Sequence, residues 1–140
     1  LKQLFDAEQP TIALITYTVS DFSQYAGAFD GFGRIIRNQD GDVVAIRERK
    51  DCTEQEAQIK EVNPAFYAFS GAWLWQALEQ LEPKNAQNEY YLTDLIEMAV
   101  NQNKKIIAIE VTDLVEALGI NTPEQLQYVE EYLIRKEGNV

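Results

Sequence analysis

Short apolar runs alternate along the chain with segments in which apolar residues recur at helical spacing. Enrichment in β-branched and aromatic residues identifies the apolar runs as strands. The Asp-Gly pair within Asn38–Gly41 indicates a hairpin turn, and Pro64 interrupts one run. The predicted strands are Thr11–Thr18, Phe32–Arg37, Val43–Glu48, Val62–Phe69 and Ile106–Val111.

The segments with helical spacing predict five helices, two of which open on capping boxes. Thr53 and Glu56 form the first box, and Thr122 and Gln125 form the second, with Pro123 at the first helical position. The predicted helices are Leu1–Glu8, Thr53–Lys60, Gly71–Leu81, a helix from about Glu89–Tyr91 to Asn101, and Glu124–Glu137 ended by Gly138. Strands that alternate with helices, together with one hairpin, predict an α/β sandwich with a mixed sheet.

Two helices have an apolar face that is expected to pack into the core. The first face consists of Trp73, Leu74, Ala77, Leu78 and Leu81, and the second of Leu126, Val129, Tyr132 and Leu133.

Composition narrows the range of functions. With 140 residues, the chain has room for one domain, and its net charge of -11 disfavours nucleic-acid partners and anionic membranes. It has no histidine and only one cysteine, Cys52, so any metal would be held by oxygen ligands. No apolar run is long enough to span a membrane, and we therefore expect a cytoplasmic protein.

The segment Asn85–Asp94 concentrates polar and aromatic side chains ahead of a helix. Two tyrosines, a threonine and two carboxylates near a helix N-terminus suit a ligand with sugar hydroxyls or phosphate. The alternative is that one tyrosine packs into the core and the other only covers the surface.

Several motifs in this order resemble a known family. They are Phe32–Ile35, Glu48–Asp51, Glu61–Asn63, Asn85–Asp94 and Gly119–Asn121. From about Ile12 to Leu126 the chain resembles the pyrophosphorylase domain of bacterial N-acetylglucosamine-1-phosphate uridyltransferases, in the sugar-nucleotidyltransferase superfamily. The resemblance implies a three-layer, Rossmann-like nucleotide-diphospho-sugar transferase fold with a mixed sheet.

The resemblance also implies roles for individual residues. It places Gly33 where the backbone approaches the sugar, and Glu48 and Asn63 where side chains contact the sugar. Tyr91 and Thr93 correspond to residues that line the sugar and phosphate side of the pocket, and Asn121 corresponds to a ligand of Mg²⁺. No residue of the chain takes a catalytic role. Simpler roles remain open for three of them: a surface ion pair for Glu48, a strand irregularity for Gly33 and a turn for Asn121.

The family's glycine-rich nucleotide loop and its magnesium-binding aspartate have no counterpart in residues 1–140. The resemblance therefore implies the C-terminal half of the catalytic domain, whose partner would be the N-terminal half. The expected reaction joins a sugar 1-phosphate and UTP into a UDP-sugar, and we expect the chain alone to be inactive and able to form a homo-oligomer. The alternatives are a glucose-1-phosphate uridylyl- or thymidylyltransferase and a non-catalytic sugar-nucleotide binding module.

Two positions depart from the family pattern. Pro64 stands where a threonine is usual, which leaves the exact sugar open, and Asn88 replaces a glycine. Asparagine tolerates the backbone angles that such a glycine adopts.

Overall fold

A computed structural model describes residues 1–22, 29–120 and 122–137. Within these residues, six strands form one mixed sheet. The strands are β1 (Ile12–Thr18), β2 (Arg34–Arg37), β3 (Val43–Arg47), β4 (Glu61–Val62), β5 (Tyr67–Phe69) and β6 (Ile106–Val111).

Strand β1 lies at the centre of the sheet. It runs parallel to β6 along one edge and antiparallel to β4 and β5 along the other. The predicted strand Val62–Phe69 is thus two short strands on the same edge of β1, separated by a bend at Pro64. The hairpin of β2 and β3 continues the sheet beyond β4.

The hairpin turn is set by its own side chains. The Asn38 Oδ1 accepts hydrogen bonds from the backbone N–H groups of Asp40 and Asp42, at 3.0 and 2.8 Å. Gly41 has φ +88°, which favours glycine. The predicted Asp-Gly turn is confirmed.

Five α-helices occur in the described residues. They are α1 (Lys2–Glu8), α2 (Gly71–Leu78), α3 (Asp94–Asn101), α4 (Leu114–Ala117) and α5 (Pro123–Glu137). None of the helices in these ranges has the length and apolarity needed to cross a bilayer.

The two faces of the sheet carry separate apolar clusters. Alternate residues of β1 point to opposite faces, as expected of a strand buried on both sides. The first cluster contains Ile12, Leu14, Ile35, Val43, Ile46, Ile96 and Ala99, and the second contains Val19, Phe29, Val62, Ala117 and Leu118. Helix α3 covers the first face and α4 the second, which gives the predicted three-layer α/β arrangement.

Several helix predictions need correction. The Thr53 capping box forms, but only a 3₁₀ turn at Glu56–Gln58 follows it and no helix continues to Lys60. Helix α3 begins at Asp94, so residues 89–93 belong to the loop.

Further corrections concern the apolar faces of α5 and α2. In α5, Leu126 and Leu133 are exposed, because the helix packs on the second cluster through Tyr128 and Val129. Helix α2 ends at Leu78, three residues earlier than predicted, so Leu81 lies outside it. On the predicted face Ala77 is buried, while Trp73, Leu74 and Leu78 are half-buried. The end of α5 at Gly138 lies outside the described residues.

Candidate functional site

An open cleft of about 360 Å³ lies between the end of the hairpin, the bend after β4 and the loop before α3. The cleft is lined by Gly33, Glu48, Asn63, Tyr91 and Thr93, which come from segments far apart in the chain. These are five of the six residues singled out from the sequence. The sixth, Asn121, lies outside the described residues.

Gly33 precedes β2 at a point of close backbone approach. A Cβ atom there would meet the Ile46 Cγ2 at 2.8 Å and the Arg47 backbone oxygen at 3.4 Å. The Gly33 backbone oxygen accepts a hydrogen bond from the Asn63 N–H at 2.9 Å, which joins two lining segments. The glycine therefore satisfies a steric requirement within the protein itself, before any ligand is considered.

Glu48 and Thr93 form a hydrogen-bonded pair inside the cleft. Glu48 follows β3 directly, and Thr93 is the last residue before α3. The Thr93 hydroxyl donates to Glu48 Oε1 at 2.8 Å, and Thr93 is only 6% exposed. This contact fixes the carboxylate and leaves its second oxygen to accept a hydrogen bond from a ligand.

The arginines near Glu48 along the chain have other partners. Within the described residues, the ion pairs of Arg34 and Arg49 go to Asp30, and those of Arg47 go to Glu56 and Glu97. These pairings do not support a surface ion pair as the role of Glu48.

Asn63 stands at the bend between β4 and β5. Its side chain is buried, and its Oδ1 accepts the Ala65 N–H at 3.0 Å. Because the oxygen is engaged in this turn, the amide group can offer its N–H donors to a ligand. Pro64, inside the turn, adds an apolar ring to the cleft wall. Ala65 adopts φ +66°, a conformation that favours glycine.

Tyr67, the first residue of β5, also lines the cleft and was not singled out from the sequence. Its hydroxyl is enclosed and has no well-formed hydrogen bond within the described residues. Burial raises the pKa of Tyr67 strongly, and the neighbouring Asn63 amide only partly offsets this effect. Tyr67 follows Asn63 by four residues across the bend. No periodic pattern in the sequence links the two residues, so nothing in the sequence pointed to Tyr67.

The loop before α3 is built around Asn85. The Asn85 Oδ1 accepts the N–H groups of Gln87 and Glu89 at 3.1 and 3.2 Å, and the Asn85 Nδ2 donates to the Glu89 backbone oxygen. Asn88 has φ +54°, so the substitution for glycine preserves a left-handed position, as predicted.

The two tyrosines of this loop differ in exposure. Tyr90 is 69% exposed, whereas Tyr91 is half-buried against the cleft. The pKa of Tyr91 is raised, first by partial burial and then by the charge of Asp51 and a side-chain interaction with its carboxylate. Neither tyrosine belongs to the apolar core clusters.

The described residues contain no group of three or more acidic, cysteine or histidine side chains arranged to hold a metal ion. A single carboxamide such as that of Asn121 cannot hold Mg²⁺ alone, because the ion requires several oxygen ligands. The described part of the chain therefore does not by itself fit a magnesium centre.

Comparison with known proteins relates the chain to one group. No family model matches it. It is 44% identical over 103 residues to the bifunctional protein GlmU of Bacillus licheniformis, a match that covers 74% of this chain and 23% of the relative. It is 50% identical over 97 residues to GlmU of Acetivibrio thermocellus, covering 69% and 21%. The chain thus spans less than a quarter of the length of these relatives.

Solved structures agree at the level of the fold. A Bacillus anthracis protein described as a glucose-1-phosphate thymidylyltransferase, in complex with sucrose, matches with a TM-score of 0.56 at 16% identity, over 90% of this chain and 51% of its own. A CMP:2-keto-3-deoxy-manno-octonic acid synthetase complexed with CTP matches with a TM-score of 0.54 at 15% identity, over 96% and 54%. The chain is thus related by sequence to the bifunctional protein GlmU, of which it corresponds to one part, and it shares its fold with the two solved structures.

Proposed function

We propose that the chain is the sugar-binding part of a nucleotidyltransferase that makes UDP-N-acetylglucosamine and pyrophosphate from N-acetylglucosamine 1-phosphate and UTP. The observation that carries this proposal is the convergence of Gly33, Glu48, Asn63, Tyr91 and Thr93 on one cleft. The similarity to GlmU proteins along most of the chain supports the same assignment.

The chemistry of the cleft suits a neutral polyol. The free oxygen of Glu48 would accept a sugar hydroxyl in a charge-assisted hydrogen bond, and the Asn63 amide would donate to a sugar oxygen. Aromatic and apolar surface from Tyr91, Pro64 and Phe32 would contact the less polar parts of the sugar.

In the proposed reaction, a phosphate oxygen of the sugar 1-phosphate attacks the α-phosphorus of UTP and pyrophosphate leaves. The residues of the cleft would position the sugar 1-phosphate for in-line attack, and they would form no covalent intermediate. Mg²⁺, when bound, would neutralise phosphate charge. The glycine-rich nucleotide loop of the family has no counterpart in residues 1–140, so we expect the chain to lack turnover by itself.

The first test is a calorimetric titration of the purified chain with UDP-N-acetylglucosamine, with and without magnesium. Saturable binding is expected, and Glu48→Ala should weaken it about 10- to 100-fold because one charge-assisted hydrogen bond is lost. Asn63→Ala should act in the same direction, while Asp40→Ala at the hairpin tip is the matched control. Equal affinity in Glu48→Ala and wild type would contradict the proposed site.

A second test separates the alternatives. Titrations with UDP-glucose and dTDP-glucose would reveal a different preferred sugar or base. The comparison is needed because Pro64, which replaces the usual threonine, lies in the cleft wall. Pyrophosphate release should be absent for the chain alone. It should appear when the chain is joined to the N-terminal part of the Bacillus licheniformis relative. Binding without turnover in that chimera would favour a non-catalytic module.

A further inference from the structure

The segment Glu48–Asp51 connects both walls of the cleft. Its backbone makes a tight turn, in which the Asp51 N–H donates to the Glu48 backbone oxygen at 2.9 Å. The four side chains then diverge. Glu48 binds Thr93, Arg49 binds Asp30 at 3.2 Å, Lys50 binds Gln87 at 2.6 Å, and Asp51 binds the Ala86 backbone at 2.7 Å.

Of these contacts, the one made by Asp51 reaches the backbone of the loop before α3. The Asp51 Oδ1 accepts the Ala86 N–H across 35 positions of the chain. The other backbone hydrogen bonds of residues 85–91 in the described structure stay within the loop and the first turn of α3. The Lys50–Gln87 contact joins two exposed side chains and constrains the loop weakly.

Asp51 and Tyr91 also line a common pocket, which shares Glu48 and Tyr91 with the cleft. Partial burial raises the pKa of Tyr91 most, and the charge of Asp51 and a side-chain interaction with its carboxylate raise that pKa further. The second oxygen of Asp51 is enclosed and makes no well-formed hydrogen bond among the described residues. Burying a carboxylate oxygen without a well-formed hydrogen bond costs free energy of folding. The other contacts of Asp51 must offset this cost.

We propose that Asp51 is a positioning residue for the sugar site: it anchors the loop at Ala86 so that Tyr91 and Thr93 face the cleft. It touches no ligand itself and acts through the loop. The inference rests on the proposed function for its ligand, but the contact between Asp51 and Ala86 stands independently of that ligand.

The test combines amide hydrogen exchange and calorimetry on the 140-residue chain, using UDP-N-acetylglucosamine as the probe. In Asp51→Ala, exchange across residues 86–91 should accelerate at least tenfold and affinity should fall about tenfold, since one hydrogen bond to a charged acceptor is lost. Asp51→Asn keeps an oxygen acceptor for the Ala86 N–H and should restore most of both properties. Asp40→Ala should change neither.

Three results would overturn the proposal. The first is unchanged exchange of residues 86–91 in Asp51→Ala. The second is faster exchange with unchanged affinity, which would make Asp51 a structural residue only. The third is equal acceleration in β1, which would indicate global destabilisation. If the wild-type chain does not bind the probe, the proposed function fails for this chain, and the exchange data still decide whether Asp51 holds the loop.

Discussion

Gly33 shows how a single residue links the hairpin to the cleft. Because a Cβ atom there would lie 2.8 Å from the Ile46 Cγ2, Gly33→Ala must displace the buried Ile46 or the backbone of β2. We expect a loss of about 1–3 kcal/mol in the free energy of unfolding, measured by urea denaturation. Gly31→Ala is the matched control, since nothing lies within 4 Å of its Cβ position. Equal stability of the two variants would show that the hairpin adjusts without cost.

Arg34 provides a second prediction at this scale. Its guanidinium is fully buried, donates to the backbone oxygens of Asp30, Phe32 and Ala57, and lies 4.4 Å from the centroid of the Phe22 ring. Burial lowers the pKa of Arg34, and the nearby Asp30 carboxylate favours the charged form.

Replacing Arg34 by methionine would leave these oxygens without donors. We expect Arg34→Met to destabilise the fold by about 3 kcal/mol in chemical denaturation. Arg34→Lys keeps the charge but not the planar fork of donors, and it should recover less than half of the loss. A methionine variant as stable as wild type would mean that water reaches and satisfies the freed oxygens.

Features that depend only on residues close together in the chain could be predicted from the sequence. Thr53 and Glu56 form their capping box, and Asn88 takes the left-handed angle expected where a glycine is usual. The contact of Asp51 with Ala86 was not predictable, because nothing in the pattern of either segment specifies a partner 35 residues away. The same holds for the role of Tyr67 in the cleft wall.

At the scale of elements, the ion pair between Arg37 in β2 and Glu61 in β4 joins two strands that share few backbone contacts. Both oxygens of Glu61 accept from the Arg37 guanidinium, at 2.7 and 2.8 Å. Burial alone would raise the pKa of Glu61, but the hydrogen bonds and charge of Arg37, together with the Thr16 hydroxyl, outweigh it and the net shift is downward.

A lowered pKa in the folded state fixes the pH dependence of this contact. The ion pair contributes stability above the unfolded-state pKa of about 4.5, and that contribution is lost as pH falls through the lower folded-state value. Glu61→Gln should therefore cost about 1–2 kcal/mol at neutral pH and progressively less toward pH 3, measured by urea unfolding across this range. Glu54→Gln, at an exposed position outside the sheet, is the control. A constant difference at all pH values would exclude the ion pair as its cause.

Strands were easier to predict from the sequence than helix boundaries. The runs of β1 and β6 are almost wholly apolar and pair with each other at the centre of the sheet, so local composition and environment agree. Helix α3 begins later than its periodicity suggests, because Asn85 and Asp51 hold the preceding loop. The apolar face predicted for α5 was partly wrong, since Leu126 and Leu133 have no neighbouring layer to cover them.

At the scale of the whole molecule, the charge of -11 and the exposed apolar side chains have opposing effects on self-association. Within the described ranges, eight large apolar residues are exposed: Phe66, Trp75, Tyr90, Leu92, Ile120, Leu126, Leu133 and Ile134. Repulsion between chains weakens as salt shortens the screening length from about 10 Å at 0.1 M to about 3 Å at 1 M. Association should therefore strengthen with salt.

Sedimentation equilibrium at low and high sodium chloride would test this expectation. Ile134 on α5 is 70% exposed, and Ile134→Lys should weaken association about tenfold at high salt because apolar contact area is lost. Gln127→Lys on the same helix is the matched control, since it adds the same charge without removing apolar surface. That control should associate at least as strongly as wild type, because it reduces the net negative charge. A monomer at every salt concentration would show that the exposed apolar residues are too dispersed to form an interface.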